Sequence, residues 1–142
     1  MDKPIKILID TNVIIDYIAQ REPYVEQAVK IVKMCTSGKV VGCIAAHTVT
    51  NIFFILRKDF TVAKRKEFLL DLFNEFSVVG IDTYKLIAAL RDNKFSDFED
   101  CLQDECAAYF NADYIITRNT KDFTDSKVKA IEPDKFLEIF KN

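Results

Sequence analysis

The chain has no tryptophan, one histidine, three glycines and three prolines in 142 residues. Its four cysteines (Cys35, Cys43, Cys101 and Cys106) are scattered and show no C-x-x-C spacing. One histidine, His47, with no ligand spacing around it, leaves no basis for a zinc site. The cysteines read as reduced, partly or wholly buried thiols of a cytoplasmic protein. No apolar stretch approaches the ~20 residues that span a bilayer. Met1-Asp2-Lys3-Pro4 carries no basic region running into an apolar core, so a secretory signal is not expected. The formal net charge is −2, which removes the general basic field of a nonspecific nucleic-acid binder. Repeats, low-complexity segments and Gly/Pro-rich linkers are also missing.

What is present is apolar and regular. Hydrophobic residues make up 49% and charged residues 30%, the balance of a globular domain with its own core. The length suits a single domain, residues 1–142. Ile5-Lys6-Ile7-Leu8-Ile9 and Tyr114-Ile115-Ile116 read as buried strands, with others expected at Val40 to Ile44, Ser77 to Ile81 and Val128 to Ile131. Helical patterning falls between them. It starts at Val13 and resumes with Pro23 in the first turn of a helix that Ser37-Gly38-Lys39 ends. Further helices are expected over His47 to Lys58, Thr61 to Phe73, Thr83 to Leu90 and Pro133 to Phe140. Ser96-Asp97-Phe98-Glu99 reads as a capping box opening a helix to about Phe110. Alternation of strand and helix implies a mainly parallel sheet of four or five strands inside a three-layer α/β/α sandwich.

Two of the strands end in polar clusters. Asp10-Thr11-Asn12 follows the first; Thr117-Arg118-Asn119, with Asp122 close behind, follows Tyr114-Ile115-Ile116. Ligand sites of open parallel sheets lie beyond the carboxyl ends of the strands, where both clusters fall. Capping of the following helix is an equally good account of Asp10 taken alone. Asp97, Asp100 and Asp104 share one helical face through i, i+3, i+7 spacing, while Phe98, Leu102, Cys106 and Tyr109 read as that helix's core stripe. Asp100 beside Cys101 and Leu102 is the member least explained by capping or the helix dipole. Carboxylates brought together repel unless a cation neutralises them, and hard oxygen ligands favour Mg²⁺ or Mn²⁺. Arg118 and Lys121 flank the second cluster and could meet a phosphate, whereas Lys64-Arg65-Lys66 reads as a solvated helix face. His47 near a helix start reads as structural rather than as a general base. Ile52, Phe53, Ile55, Leu56 and Phe60 read as core, wide enough in a chain with twelve Phe to leave an exposed dimerising strip.

Ile-Asp-Thr-Asn-Val at 9–13, Asp-Cys-Leu-Gln at 100–103 and Ile-Thr-Arg-Asn-Thr-Lys-Asp-Phe at 116–123 together resemble a PIN domain of the small VapC toxin type. The resemblance spans nearly the whole chain. It implies a Mg²⁺- or Mn²⁺-dependent endoribonuclease, often homodimeric, with RNA as substrate and, for toxins, an antitoxin partner. Carried over by position, the metal-binding acids would be Asp10, Asp100 and Asp122. Thr11, Asn12, Thr117, Arg118 and Asn119 would shape the site. There is one departure. Such nucleases usually carry a Glu on the helix after the second strand, where this chain has Asn51, and no Glu occurs between Glu26 and Glu67. Asp97 is the residue expected to compensate. The missing acid also leaves open a PIN-fold protein that binds RNA or a partner with little catalysis. A phosphatase of the haloacid-dehalogenase type would need a second Asp where Asn12 stands.

Overall fold

A computed structural model describes residues 3–140. Met1 and Asp2 of the N-terminal reading, and the last two residues of the expected 1–142 domain, lie outside it. The elements in chain order are β1 (Ile5–Ile9), α1 (Thr11–Ile18), α2 (Val25–Thr36), β2 (Val40–Ala45), α3 (Ala46–Ile55), α4 (Val62–Glu75), β3 (Ser77–Val79), α5 (Thr83–Arg91), α6 (Phe98–Tyr109), β4 (Tyr114–Ile116), β5 (Lys129–Ile131) and α7 (Pro133–Ile139). Short 3-10 segments at Leu56–Lys58 and Thr120–Phe123 complete the path.

Five strands form one sheet in the order β3-β2-β1-β4-β5, every pair parallel. Alternation along the strands decides the two faces. Ile7, Ile9, Ile44, Ile116 and Ile131 point into a cluster built with Val13, Ile14, Ile31, Leu72 and Phe136 from α1, α2, α4 and α7. Leu8, Cys43, Ala45 and Ile115 point the other way, against Cys106 and Ala107 of α6. Both faces are covered, which is why the strands read as continuous apolar runs. The three layers of the expected α/β/α sandwich are all present. Each of the fully buried Ile side chains is worth about 1.5–3 kcal/mol of transfer free energy.

Gly42 in β2 has a packing reason. A Cβ there would sit 2.7 Å from Cys35 Sγ and 3.0 Å from the Phe76 ring, so only Gly lets α2 and the end of α4 close on the strand. Gly38, at φ +82°, ends α2 in the left-handed conformation expected of a helix C-terminal glycine.

Three expectations need correction. Pro23 lies in the turn before α2, whose N-cap is Tyr24, and not in the helix's first turn. Asp97 rather than Ser96 caps α6, its Oδ1 accepting from the Asp100 N–H at 2.9 Å. Tyr109 and Phe98 of the supposed core stripe are exposed, and the buried run is Cys101 to Ala107.

Candidate active site

The strand order places a topological switch between β1 and β4: the chain builds outward from β1 on one side, then returns to its other side. Crevices open at the carboxyl end of such a switch. Asp10 stands there, 7% exposed, immediately after β1, and its backbone N–H donates to Ile116 O at 2.9 Å across the junction. Its carboxylate caps α1 through the Thr11 N–H at 2.8 Å, so the capping account holds. Three more donors converge on it. Thr117 Oγ1 donates to Oδ2 at 2.8 Å, Asn12 Nδ2 to Oδ2 at 3.3 Å, and Gln103 Nε2 to Oδ1 at 3.2 Å. All four are neutral. Among the described residues Asp10 has no cationic partner.

A cleft of about 390 Å³ opens in front of Asp10. Thr11, Asn12, Asn51, Asp100 and Asn119 of the anticipated residues line it. Asp100 comes from the first turn of α6. Burial, then the charges of Asp97, Asp10, Asp122 and Glu99, push its carboxyl up to about 7. Burial also raises Asp10; the Thr117 and Thr11 hydrogen bonds oppose that rise, Asp122's charge adds to it and Arg118's charge opposes it. Asp122 does not line the cleft. It sits in the 3-10 turn, its N–H on Asn119 O at 3.0 Å, close enough for its charge to act on both acids. Among the described residues no three Asp, Glu, His or Cys side chains stand together so as to hold a metal ion among them.

Other anticipated residues have structural duties. Asp97 Oδ1 is the α6 cap. Thr117 is buried behind Asp10, and its Oγ1 also accepts from the Asn119 N–H at 3.1 Å. Arg118 does not reach for a phosphate. Its guanidinium pairs with the buried Asp16, Nε–Oδ2 2.7 Å and Nη2–Oδ1 3.3 Å, and stacks 3.9 Å from the Tyr24 ring centre. Asp104, on the face shared with Asp100, turns away to accept from the Lys127 and Val128 N–H groups at 2.9 and 3.1 Å.

Sequence reasoning missed several cleft residues. Gln103, 2% exposed, ties Asp10 to Thr48, its Nε2 donating to Thr48 Oγ1 at 2.9 Å. Thr48 in turn shares a 2.9 Å hydrogen bond with Thr11 Oγ1. An amide three residues after Asp100, inside a buried run, was the available signal. His47 and Glu99 also line the cleft. His47 Nε2 donates to Glu99 O at 3.2 Å, so its proton is on Nε2, and burial holds the ring's pKa below its usual value. Arg21 is the one Arg or Lys among the described cleft-lining side chains. Of the stripe read as core, Ile52 and Leu56 are buried and Phe53 and Phe60 pack against them, whereas Ile55 is exposed beside Phe54 at the cleft's edge.

The donor set suits a hard cation. It offers carboxylate, amide and hydroxyl oxygens, and Gln103 Oε1 is buried without a hydrogen-bond partner. An octahedral ion such as Mg²⁺ needs only one or two carboxylates and keeps several waters, so an open site of this kind fits it without a cage.

The PIN domain sequence profile matches residues 6–121. The chain belongs to the PIN domain family. Solved PIN-fold structures agree with the architecture. The DNA-bound VapBC of Salmonella typhimurium has a TM-score of 0.69 at 18% identity, covering 91% of this chain and 98% of that one. A toxin–antitoxin complex from Klebsiella pneumoniae gives 0.65 at 20% identity, covering 89% and 96%. PAE2754 from Pyrobaculum aerophilum gives 0.62 at 13%, covering 95% and 88%. At these identities the likeness is one of fold. No curated protein matches the sequence significantly.

Proposed function

We propose that this PIN domain is a divalent-metal-dependent endoribonuclease that hydrolyses RNA phosphodiester bonds and serves as the toxin of a toxin–antitoxin pair. The observation that carries the reading is Asp10: a buried carboxylate at the sheet's switch point, oriented by four neutral donors, facing Asp100 across an open cleft with no cation paired to either. Asp10 and Asp100 would hold Mg²⁺ or Mn²⁺, with Asp122 and Asp97 adding negative potential from the adjoining turns. Such an ion would neutralise the phosphate and activate water for attack. Thr11, Asn12, Thr117 and Gln103 keep Asp10 in one orientation. Arg21 and Asn119 at the rim are placed to meet the phosphates of an RNA strand. Arg118 shapes the site by locking α1 to the loop after β4.

The toxin role is supported by the likeness to proteins solved as VapBC and other toxin–antitoxin complexes. An antitoxin protein is accordingly the proposed partner. A homodimer belongs to the same reading, supported by Tyr84, Ile87 and Leu90, which α5 leaves exposed at i, i+3, i+6. The proposed compartment is the cytoplasm; no described helix is long and apolar enough to cross a membrane.

The test is cleavage of a structured RNA with Mn²⁺ in ¹⁸O-labelled water, before and after EDTA. The expected result is cleavage that stops with EDTA, returns with excess Mn²⁺ and leaves ¹⁸O in the product phosphate. RNA binding without cleavage would favour the non-catalytic reading that Asn51 raises.

A further inference from the structure

Neither helix capping nor the helix dipole explains where the Glu99 carboxylate points. The cap of α6 is Asp97, so the capping box that would have occupied Glu99 does not form. A Glu in the first helical turn is favoured by the helix dipole, but the dipole does not require the carboxylate to turn across a cleft. Here it does turn. Asn51 Nδ2 of α3 donates to Glu99 Oε2 at 3.3 Å, and His47 Nε2, one turn earlier on α3, donates to the Glu99 carbonyl at 3.2 Å. Two residues of α3 thus hold both the backbone and the side chain of one residue of α6. None of the ion pairs among the described residues involves Asp10, Asp97, Glu99 or Asp100.

A second observation points to a ligand in this cleft. Gln103 is 2% exposed, and its amide orientation is fixed because Nε2 must face the Asp10 carboxylate. Its Oε1 is therefore left buried with no donor. An orphaned acceptor of this kind is destabilising unless something supplies a donor or a positive charge. A hydrated cation beside Asp10 supplies both.

We propose that Glu99, held by Asn51, is a ligand through water of the divalent cation in this cleft, and that Asn51 acts as its positioning residue. The acid absent from α3 is then delivered from α6, with Asn51 converted from ligand to brace. The proposal rests on reading the cleft as a cation site. It assigns to Glu99 the role that the sequence suggested for Asp97.

The test is Mn²⁺ affinity, followed by the paramagnetic resonance signal of free Mn²⁺, for wild type, Glu99→Gln, Asn51→Ala, Asp100→Asn and Asp134→Asn. Metal-free melting temperatures establish that each variant folds. Glu99→Gln should melt no lower than wild type, since it removes charge from an acidic cluster. It is expected to weaken Mn²⁺ binding about tenfold or more, with a smaller loss in Asn51→Ala and none in Asp134→Asn, which lies outside the cleft. Glu99→Gln binding as tightly as wild type while Asp100→Asn binds weakly would overturn the assignment and leave the cation site standing. Wild-type affinity in Asn51→Ala would remove the brace. Absence of Mn²⁺ binding by wild type would overturn both the cation site and this proposal. Weak binding in Glu99→Gln by a protein that leaves RNA intact would keep Glu99 as a ligand and reject the nuclease.

Discussion

Thr117 holds a buried carboxylate without a charge. Its hydroxyl donates to Asp10 Oδ2 at 2.8 Å while Gln103 serves the other oxygen. Replacing either by an apolar isostere takes one of the two hydrogen bonds from a buried carboxylate oxygen. Thr117→Val and Gln103→Leu are each expected to cost about 1–3 kcal/mol in urea denaturation. Asp100 predicts a pH effect on the metal-free protein. Its carboxyl stands at about 7 folded against an ordinary 3.8. Between those values the folded chain keeps a proton that the unfolded chain has lost. Its contribution is complete below pH 4 and is lost as pH rises through about 7. The Asp100 contribution should therefore lower the urea midpoint over that range, and Asp100→Asn should remove it; the raised Asp10 adds a slope of the same sign and the lowered His47 one of the opposite sign. A wild-type midpoint with the same pH slope as that of Asp100→Asn would contradict the assignment. Asp10 and Asp100 were legible because a strand end and a helical face mark them. Gln103 was not, because its duty is defined by a partner 93 residues away.

At the scale of elements, strands and helices followed from β-branched runs and helical spacing, and departures occurred where tertiary contacts choose between equal local options. Ser96 and Asp97 are both good caps, and local sequence does not separate them. Arg118 next to the second polar cluster looked like a phosphate contact; only the folded chain brings it to Asp16, 102 residues away. Because Asp16 is 1% exposed, Arg118→Ala would strand a buried charge. A loss of about 3 kcal/mol is expected, the low end for a broken buried pair because Arg118 keeps 26% of its side-chain surface in water. An Asp16→Asn/Arg118→Met double variant should recover part of it. Asp104→Ala should leave the Lys127 and Val128 N–H groups without acceptors, so hydrogen exchange should quicken at the entry to β5 while β1 stays protected.

For the whole molecule, the three-layer class was legible from the alternation of elements, but the strand order was not. Periodicity says that Ile5–Ile9 and Tyr114–Ile116 are buried strands, not that they are neighbours. Their pairing, with Asp10 bonded to Ile116 O, creates the switch point and so the cleft. The exposed apolar side chains of α5 bear on assembly. If they form the proposed dimer contact, light scattering should give twice the chain mass, and Leu90→Arg should halve it without lowering the melting temperature. The proposed nuclease depends on the carboxylates at the switch point. The deciding measurement is cleavage of structured RNA in Mn²⁺ by wild type and by Asp10→Asn, each first shown to be folded by its melting temperature. Cutting is expected from the wild type and none from the folded variant. Undiminished cutting by Asp10→Asn, or an intact RNA with both proteins, would contradict it.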